Sequence, residues 1–153
     1  MSAVLRPTLE LEPMRESDLR AVLEIEESLY EFPWTAGNFR DSLRAGYACW
    51  VMREGSTIVA YAVLMLGAGE AHLLNLSVAA HAQRRGRGRQ LLHSLVQLAR
   101  ERQAKVLFLE VRPSNDVGKR LYATYGFRQI GVRRGYYPAR KGREDALVLA
   151  LDL

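Results

Sequence analysis

EAHLLNLSVAAHAQRRGRGRQLLHSLVQLARER, residues 70–102, changes its period twice, and that change sets the fold. Residues 70–79 read as a strand. Residues 88–102 carry Leu91, Leu92, Leu95, Leu98 and Ala99 on one stripe, the pattern of an amphipathic helix of about four turns. Between them lies Gln83-Arg84-Arg85-Gly86-Arg87-Gly88. The first turn of a helix leaves backbone N–H groups unpaired and carries partial positive charge, so glycines at this point let a pyrophosphate approach the main chain. The arginines add charge around it. The dinucleotide fingerprint lacks its third glycine, and no G-x-x-x-x-G-K-[ST] string occurs, which disfavours NAD and ATP. Composition alone leaves open a plain flexible, basic turn.

Outward from this segment the elements alternate. Residues 8–14 look like a strand, and helical spacing recurs over residues 18–30, with a second short helix after Thr35. Three strand-like runs follow at residues 47–53, 57–66 and 70–79, joined by turn chemistry short enough for antiparallel hairpins. Val106 to Val111 is a near-continuous apolar run, the pattern of a strand covered on both faces. Pro113 ends it, Ser114 can cap a helix reaching Tyr125, and Gly126 suits that helix's stop. Strands near residues 127–133 and 144–151 complete an α/β fold with a mixed sheet. No linker or repeat divides residues 1–153, so one domain is expected.

With 153 residues, 48% of them hydrophobic and 25% charged, the chain can bury a core of ordinary size, which excludes disorder and coiled coil. Its longest apolar run stops at Gly67, short of the roughly 18 residues a membrane helix needs, and the N-terminus lacks an export signal. A cytoplasmic location with no membrane partner is the expectation. Cys49 is the only cysteine and reads as a small core residue, since no histidine base is placed beside it in a recognised pattern. The three histidines are scattered, so no metal site is expected. The net charge of +5 is uneven: residues 1–75 carry −5 and the remainder +10. The basic half suits a phosphate-bearing ligand, but exposed aromatics interleaved with arginine, as nucleic-acid modules use, are not evident.

A strand, then Q-x-x-G-x-G, then a helix resembles the acetyl-CoA pyrophosphate motif of the GCN5-related N-acetyltransferase (GNAT) superfamily. The stretches HLLNLSV, QRRGRGRQLL, LEVRPSN, RLYATYGF and GVRRGYYPARKGREDALVLAL occur in the order found in its bacterial RimI-type, ribosomal-protein alanine N-acetyltransferase branch. Glu31-Phe32-Pro33-Trp34 fits the same group. The resemblance implies a GNAT fold whose bulged strand before the phosphate loop splays from its parallel neighbour, making a slot for the cofactor arm. It implies acetyl-CoA as acetyl donor, bound by Leu76, Ser77 and Val78, by Arg84, Arg85, Gly86, Arg87, Gly88 and Arg89, and by Asn115. Asn115 has an alternative as a helix cap, although Ser114 already offers one.

The same resemblance places a catalytic glutamate at Glu110 and a tyrosine twelve residues later, at Tyr122. Acetyl transfer to an amine requires a neutral nucleophile, a stabilised oxyanion and a proton for the leaving thiolate. Glu110 shares a strand face with Val106 and Phe108, and burial of that face favours the neutral acid, making a carboxylate a better base. Pairing with Arg112 on the same face is the alternative. Deprotonating an α-amine of ordinary pKa near 7.7 costs about 1 kcal/mol at pH 7, against about 4.6 kcal/mol for a lysine near 10.4. Chain ends therefore suit such a base. Tyr122 would reprotonate the thiolate, with small Gly118 one turn earlier and Tyr125 and Phe127 taking the core role. A main-chain N–H near Leu76–Val78 would face the oxyanion. By resemblance, the peptide lies between the loop joining the first two helices and the loop joining the last two strands, read as residues 135–138, so Trp34, Tyr136 and Tyr137 would wall a slot for a chain end. The leading expectation is direct acetyl transfer to the alanine N-terminus of a ribosomal small-subunit protein. An acetyltransferase of a small amine or another protein is the nearest rival, and a non-catalytic acyl-CoA or nucleic-acid binder a second.

Overall fold

The computed structural model describes residues 9–153. Its elements run β1 (Leu9–Pro13), α1 (Leu19–Leu29), α2 (Ala36–Arg44), β2 (Ala48–Glu54), β3 (Thr57–Gly67), β4 (Glu70–Val78), α3 (Arg87–Glu101), β5 (Val106–Val111), α4 (Asp116–Tyr125), β6 (Arg128–Pro138) and β7 (Arg143–Asp152), with single 3-10 turns at Glu16–Asp18 and Ala80–Ala82. Thr8, included in the expected first strand, lies outside the described residues. The final two strands run longer than expected, and residues 135–138, read as a loop, form the end of β6. The connection falls instead on residues 139–142.

Among the described residues seven strands form one sheet in the order β1-β2-β3-β4-β5-β7-β6, and β4/β5 is the one parallel pair. Each face covers its own core. On one side Leu91, Leu92, Leu95, Val96 and Ala99 of α3 pack with Leu107, Leu109 and Val111 of β5. On the other, Val22 of α1 and Phe39 of α2 cover Val51, Tyr61 and Val63. The period-2 alternation of β5 sends Leu107, Leu109 and Val111 into the first core while Val106, Phe108 and Glu110 turn to the other face, where cover is less complete, so the strand is not covered equally on both faces as its apolar run suggested. Among the described residues no helix is long and apolar enough to cross a membrane.

The feature that creates a site is the way β4 and β5 part. They pair only from Glu70↔Val106 to Leu73↔Leu109. At that point β4 shifts register against β3: Leu64 pairs with Leu73 and Val63 with Asn75, leaving Leu74 as the extra residue of a bulge. The bulge turns β4 aside while β5 continues along β7 to Val111↔Leu147. The splayed mixed sheet expected from the resemblance is therefore present, and Glu110 is the first residue of β5 beyond the last parallel pair.

Candidate active site

Beyond the splay, β4 keeps β3 on one edge and faces open space on the other. Ala79 N–H donates to the Val59 carbonyl at 2.8 Å, and in an antiparallel ladder the residues facing one neighbour alternate. Ser77 thus faces β3, and Leu76 and Val78 direct their backbone groups into the slot. The Val78 carbonyl already accepts a hydrogen bond from Gln83 Nε2 at 3.0 Å, which ties the strand end to the phosphate loop. Ser77, expected to touch the cofactor, has its backbone turned away and its side chain buried, with Oγ bonded to Tyr30 Oη at 2.6 Å and Asn75 Oδ1 at 2.8 Å.

The loop of residues 83–88 closes through two left-handed residues, Arg84 at φ 63° and Gly86 at φ 76°. Gly86 is the N-cap of α3 and no side chain caps the helix, so the amides of its first turn are unspent. Arg84, Arg85 and Arg89 are exposed, whereas Arg87 is half-buried and tethered to Glu54 at 3.2 Å and to the Arg85 carbonyl at 3.3 Å. Its guanidinium is not the free charge the sequence suggested. Its Nε is buried without a hydrogen-bond partner. An uncapped helix start, an orphaned donor and an open strand edge together fit a diphosphate with an amide-bearing arm.

Glu110 is enclosed, its side chain 8% exposed. Its Oε2 meets His72 Nε2 at 2.5 Å, and Arg133 Nε reaches Oε1 at 3.4 Å. Arg112, the partner considered from sequence, turns away: it lies past the end of β5 and bonds Glu144 at 3.1 Å and the Pro138 carbonyl at 2.9 Å. Ser114 also goes to Glu144, with hydroxyl and backbone N–H, and these bonds together with Arg112 hold that carboxyl below its usual range. Since Ser114 is committed there, Asn115 is the cap of α4, accepting from Gly118 N–H at 2.9 Å. This reverses the expected division between the two. Gly118 is small for the same reason, since a Cβ there would stand 2.6 Å from Asn115 Nδ2; the space it leaves is for the cap, not for Tyr122.

Tyr122 is buried edge-on against Phe127, ring centres 5.5 Å apart. Burial, helped by Tyr30 and Tyr137, pushes its phenol well above the ordinary value near 10, so it stays an O–H donor at neutral pH. Tyr125, expected in the core, is half-buried instead, with Arg89 over its ring and His93 Nδ1 on its hydroxyl. Tyr137 is likewise pushed up, by burial first and then by Glu110. It makes an edge contact with Tyr136 at 4.9 Å. Trp34 does not join these two: its ring leans on Phe39 at 5.1 Å in the second core, and its backbone N–H is held by Glu26. Phe32 faces them instead, because Arg112 lies between its ring and that of Tyr137, at 5.8 and 4.3 Å.

His72, Arg133, Tyr30 and the buried Glu26 are the site neighbours that sequence reasoning missed. Glu26 receives Tyr61 Oη at 2.7 Å and Asn75 Nδ2 at 3.0 Å, pinning α1 to the β4 bulge. His72, Tyr30 and Glu26 meet partners 35 or more residues away, at Glu110, Ser77, Tyr61 and Asn75, and Arg133 reaches Glu110 from another strand, so no local pattern marked them.

A family model described as "Acetyltransferase (GNAT) family" matches residues 19–127. The chain belongs to this GNAT family. GNAT enzymes take their acetyl group from acetyl-CoA, and the described residues contain no cluster able to hold a metal. Two curated relatives are "[Ribosomal protein bS18]-alanine N-acetyltransferase" of Escherichia coli strain K12, 35% identical over 92% of this chain and 95% of that protein, and the enzyme of the same description from Haemophilus ducreyi, 35% identical over 94% and 99%. Among solved structures, the ribosomal-protein-S18-alanine N-acetyltransferase from Escherichia coli superposes with a TM-score of 0.88 at 34% identity, covering 95% of this chain and 94% of that one. The GNAT chain described here therefore shares fold and nearly full length with enzymes that acetylate an alanine.

Proposed function

We propose that this GNAT enzyme transfers acetyl from acetyl-CoA to the α-amine of the N-terminal alanine of ribosomal protein bS18, by direct transfer with both substrates bound. The observation that carries the reading is the enclosed Glu110 at the mouth of the β4/β5 splay, in a chain 35% identical to named bS18-alanine N-acetyltransferases. Ribosomal proteins and acetyl-CoA meet in the cytoplasm, which is its place of action.

When bound, acetyl-CoA supplies an acetyl group already activated as a thioester. The first-turn amides of α3 at Arg87, Gly88 and Arg89, with the exposed Arg84 and Arg85 side chains, would hold its diphosphate. Leu76 and Val78 would offer main-chain groups to the arm, and Leu76 N–H would be the donor for the acetyl oxygen. Asn115 keeps its Nδ2 for the same arm, since its Oδ1 is spent on the cap. Glu110 removes the proton of the incoming ammonium. Tyr122 keeps its phenolic proton through neutral pH and would be the donor for the thiolate. Phe32, Tyr136 and Tyr137 flank the entrance, and Arg140 on Glu31 ties the α1–α2 loop to the β6–β7 connection.

The test is purified protein with acetyl-CoA and a peptide carrying the first residues of bS18, followed by thiol release and by the mass of the product. Acetylation confined to the α-amine is expected. Acetylation of polyamines or aminoglycosides with the peptide untouched would transfer the enzyme to another substrate class, and duplex binding without thiol release would make it a binder. Glu110→Gln should lower kcat by about 100-fold or more with little change in the KM for acetyl-CoA.

A further inference from the structure

Glu110 has two oxygens and two partners of different kinds. Arg133 approaches Oε1 loosely, from a side chain that is 57% exposed. His72 meets Oε2 tightly, from a side chain that is 24% exposed, and lies in the paired part of β4, where the backbone is fixed by both neighbours: its own residue pairs with Phe108 on β5 and with Met65 on β3. With Glu110 as the carboxylate base the contact has one polarity, because a carboxylate only accepts: His72 Nε2–H donates to Glu110 Oε2. Oε2 is thereby occupied. Oε1, held only by the long contact to an exposed arginine, is the oxygen left to take a proton. The charged and titratable groups around the pair are Arg133 and Tyr137 of β6 and Arg112 just past the end of β5. From the α1 side, Glu26 and Tyr30 are already committed to Tyr61, Asn75 and Ser77. None of these can replace the imidazole at Oε2.

We infer that His72 is a positioning residue for Glu110: its imidazole holds Oε2 by one hydrogen bond and leaves Oε1 to take the substrate proton. The inference rests on Glu110 being the base.

Two substitutions separate the hydrogen bond from the bulk of the side chain. His72→Leu keeps an apolar side chain and loses the N–H, whereas His72→Gln keeps an N–H able to reach Oε2. His72→Leu should lower kcat about tenfold or more, the scale of a lost hydrogen bond to a charged group, with the KM for acetyl-CoA little changed. His72→Gln should recover most of that loss. A leucine variant with native kcat, or a glutamine variant as slow as the leucine one, would overturn the positioning. Glu110→Gln measured in parallel keeps the two readings apart. If it loses turnover while both His72 variants behave as native enzyme, the base stands and His72 has no such role; if it too retains native turnover, the assignment of Glu110 itself falls.

Discussion

Alanine at position 118 should change the stability of this protein in opposite directions depending on residue 115. Gly118 lies in the first turn of α4, where alanine normally stabilises a helix over glycine by about 0.5–1 kcal/mol. Here the added Cβ would lie 2.6 Å from Nδ2, 2.9 Å from Cγ and 3.1 Å from Oδ1 of Asn115, inside contact distance for the whole end of that side chain. Asn115 must leave, and with it goes the cap to Gly118 N–H, worth about 1 kcal/mol within a range of 0.5–2. Gly118→Ala in the native background should therefore be destabilising once residual crowding is added. Asn115→Ala alone should lose the cap, lowering the unfolding free energy by about 1 kcal/mol and the Tm by about 2–4 °C for a chain of this size. In that second background the obstruction is gone, and Gly118→Ala should raise stability by its full propensity gain of about 0.5–1 kcal/mol. Urea unfolding of the four proteins gives the coupling directly as a double-mutant cycle. An effect of Gly118→Ala with the same sign and size in both backgrounds would refute the reasoning, as would an unchanged midpoint for Asn115→Ala.

Other outcomes follow from single features. Gly86→Ala forces a side chain into φ 76°, costing about 1–2 kcal/mol at the start of α3, and should raise the KM for acetyl-CoA more than it lowers kcat; steady-state kinetics at saturating peptide would check it. Cys49 is buried and its thiol is pushed up to about 11 by that burial, so native protein at pH 8 should resist iodoacetamide that labels it readily in urea, and Cys49→Ala should keep native turnover. Tyr30, Tyr61, Tyr122 and Tyr137 all have phenols raised above the ordinary value, chiefly by burial. Above about pH 10 the unfolded chain ionises these phenols while the folded one holds their protons, so stability is fully present below pH 10 and should fall as pH rises beyond it. Tyr122→Phe should flatten part of that slope in urea titrations between pH 9 and 11, and an unchanged slope would contradict its burial as a neutral phenol.

The parts of this protein legible in the sequence are those whose cause is local. Gly86 and the stripe from Leu91 to Ala99 announce a helix start and its buried face within a few residues, because helix geometry and end chemistry act over one to four positions. The same holds for Thr35 capping α2 and for the apolar run that makes β5 a strand. Resemblance then placed Glu110 and Tyr122. What the chain could not reveal in one dimension is who stands beside them. His72 lies 38 residues before Glu110, and the two meet because β4 and β5 run parallel for four residues and then separate at the Leu74 bulge; Tyr30 lies 47 before Ser77, which it reaches from the end of α1. Arg112 and Ser114 looked like a partner for the base and a helix cap until both converged on Glu144, across 32 and 30 residues. Trp34 looked like part of a substrate wall until Phe39 claimed it for the core. A side chain's type and the period of its segment follow from covalent neighbours, whereas its hydrogen-bond partner depends on sheet order and register, which exist only once the chain has closed on itself.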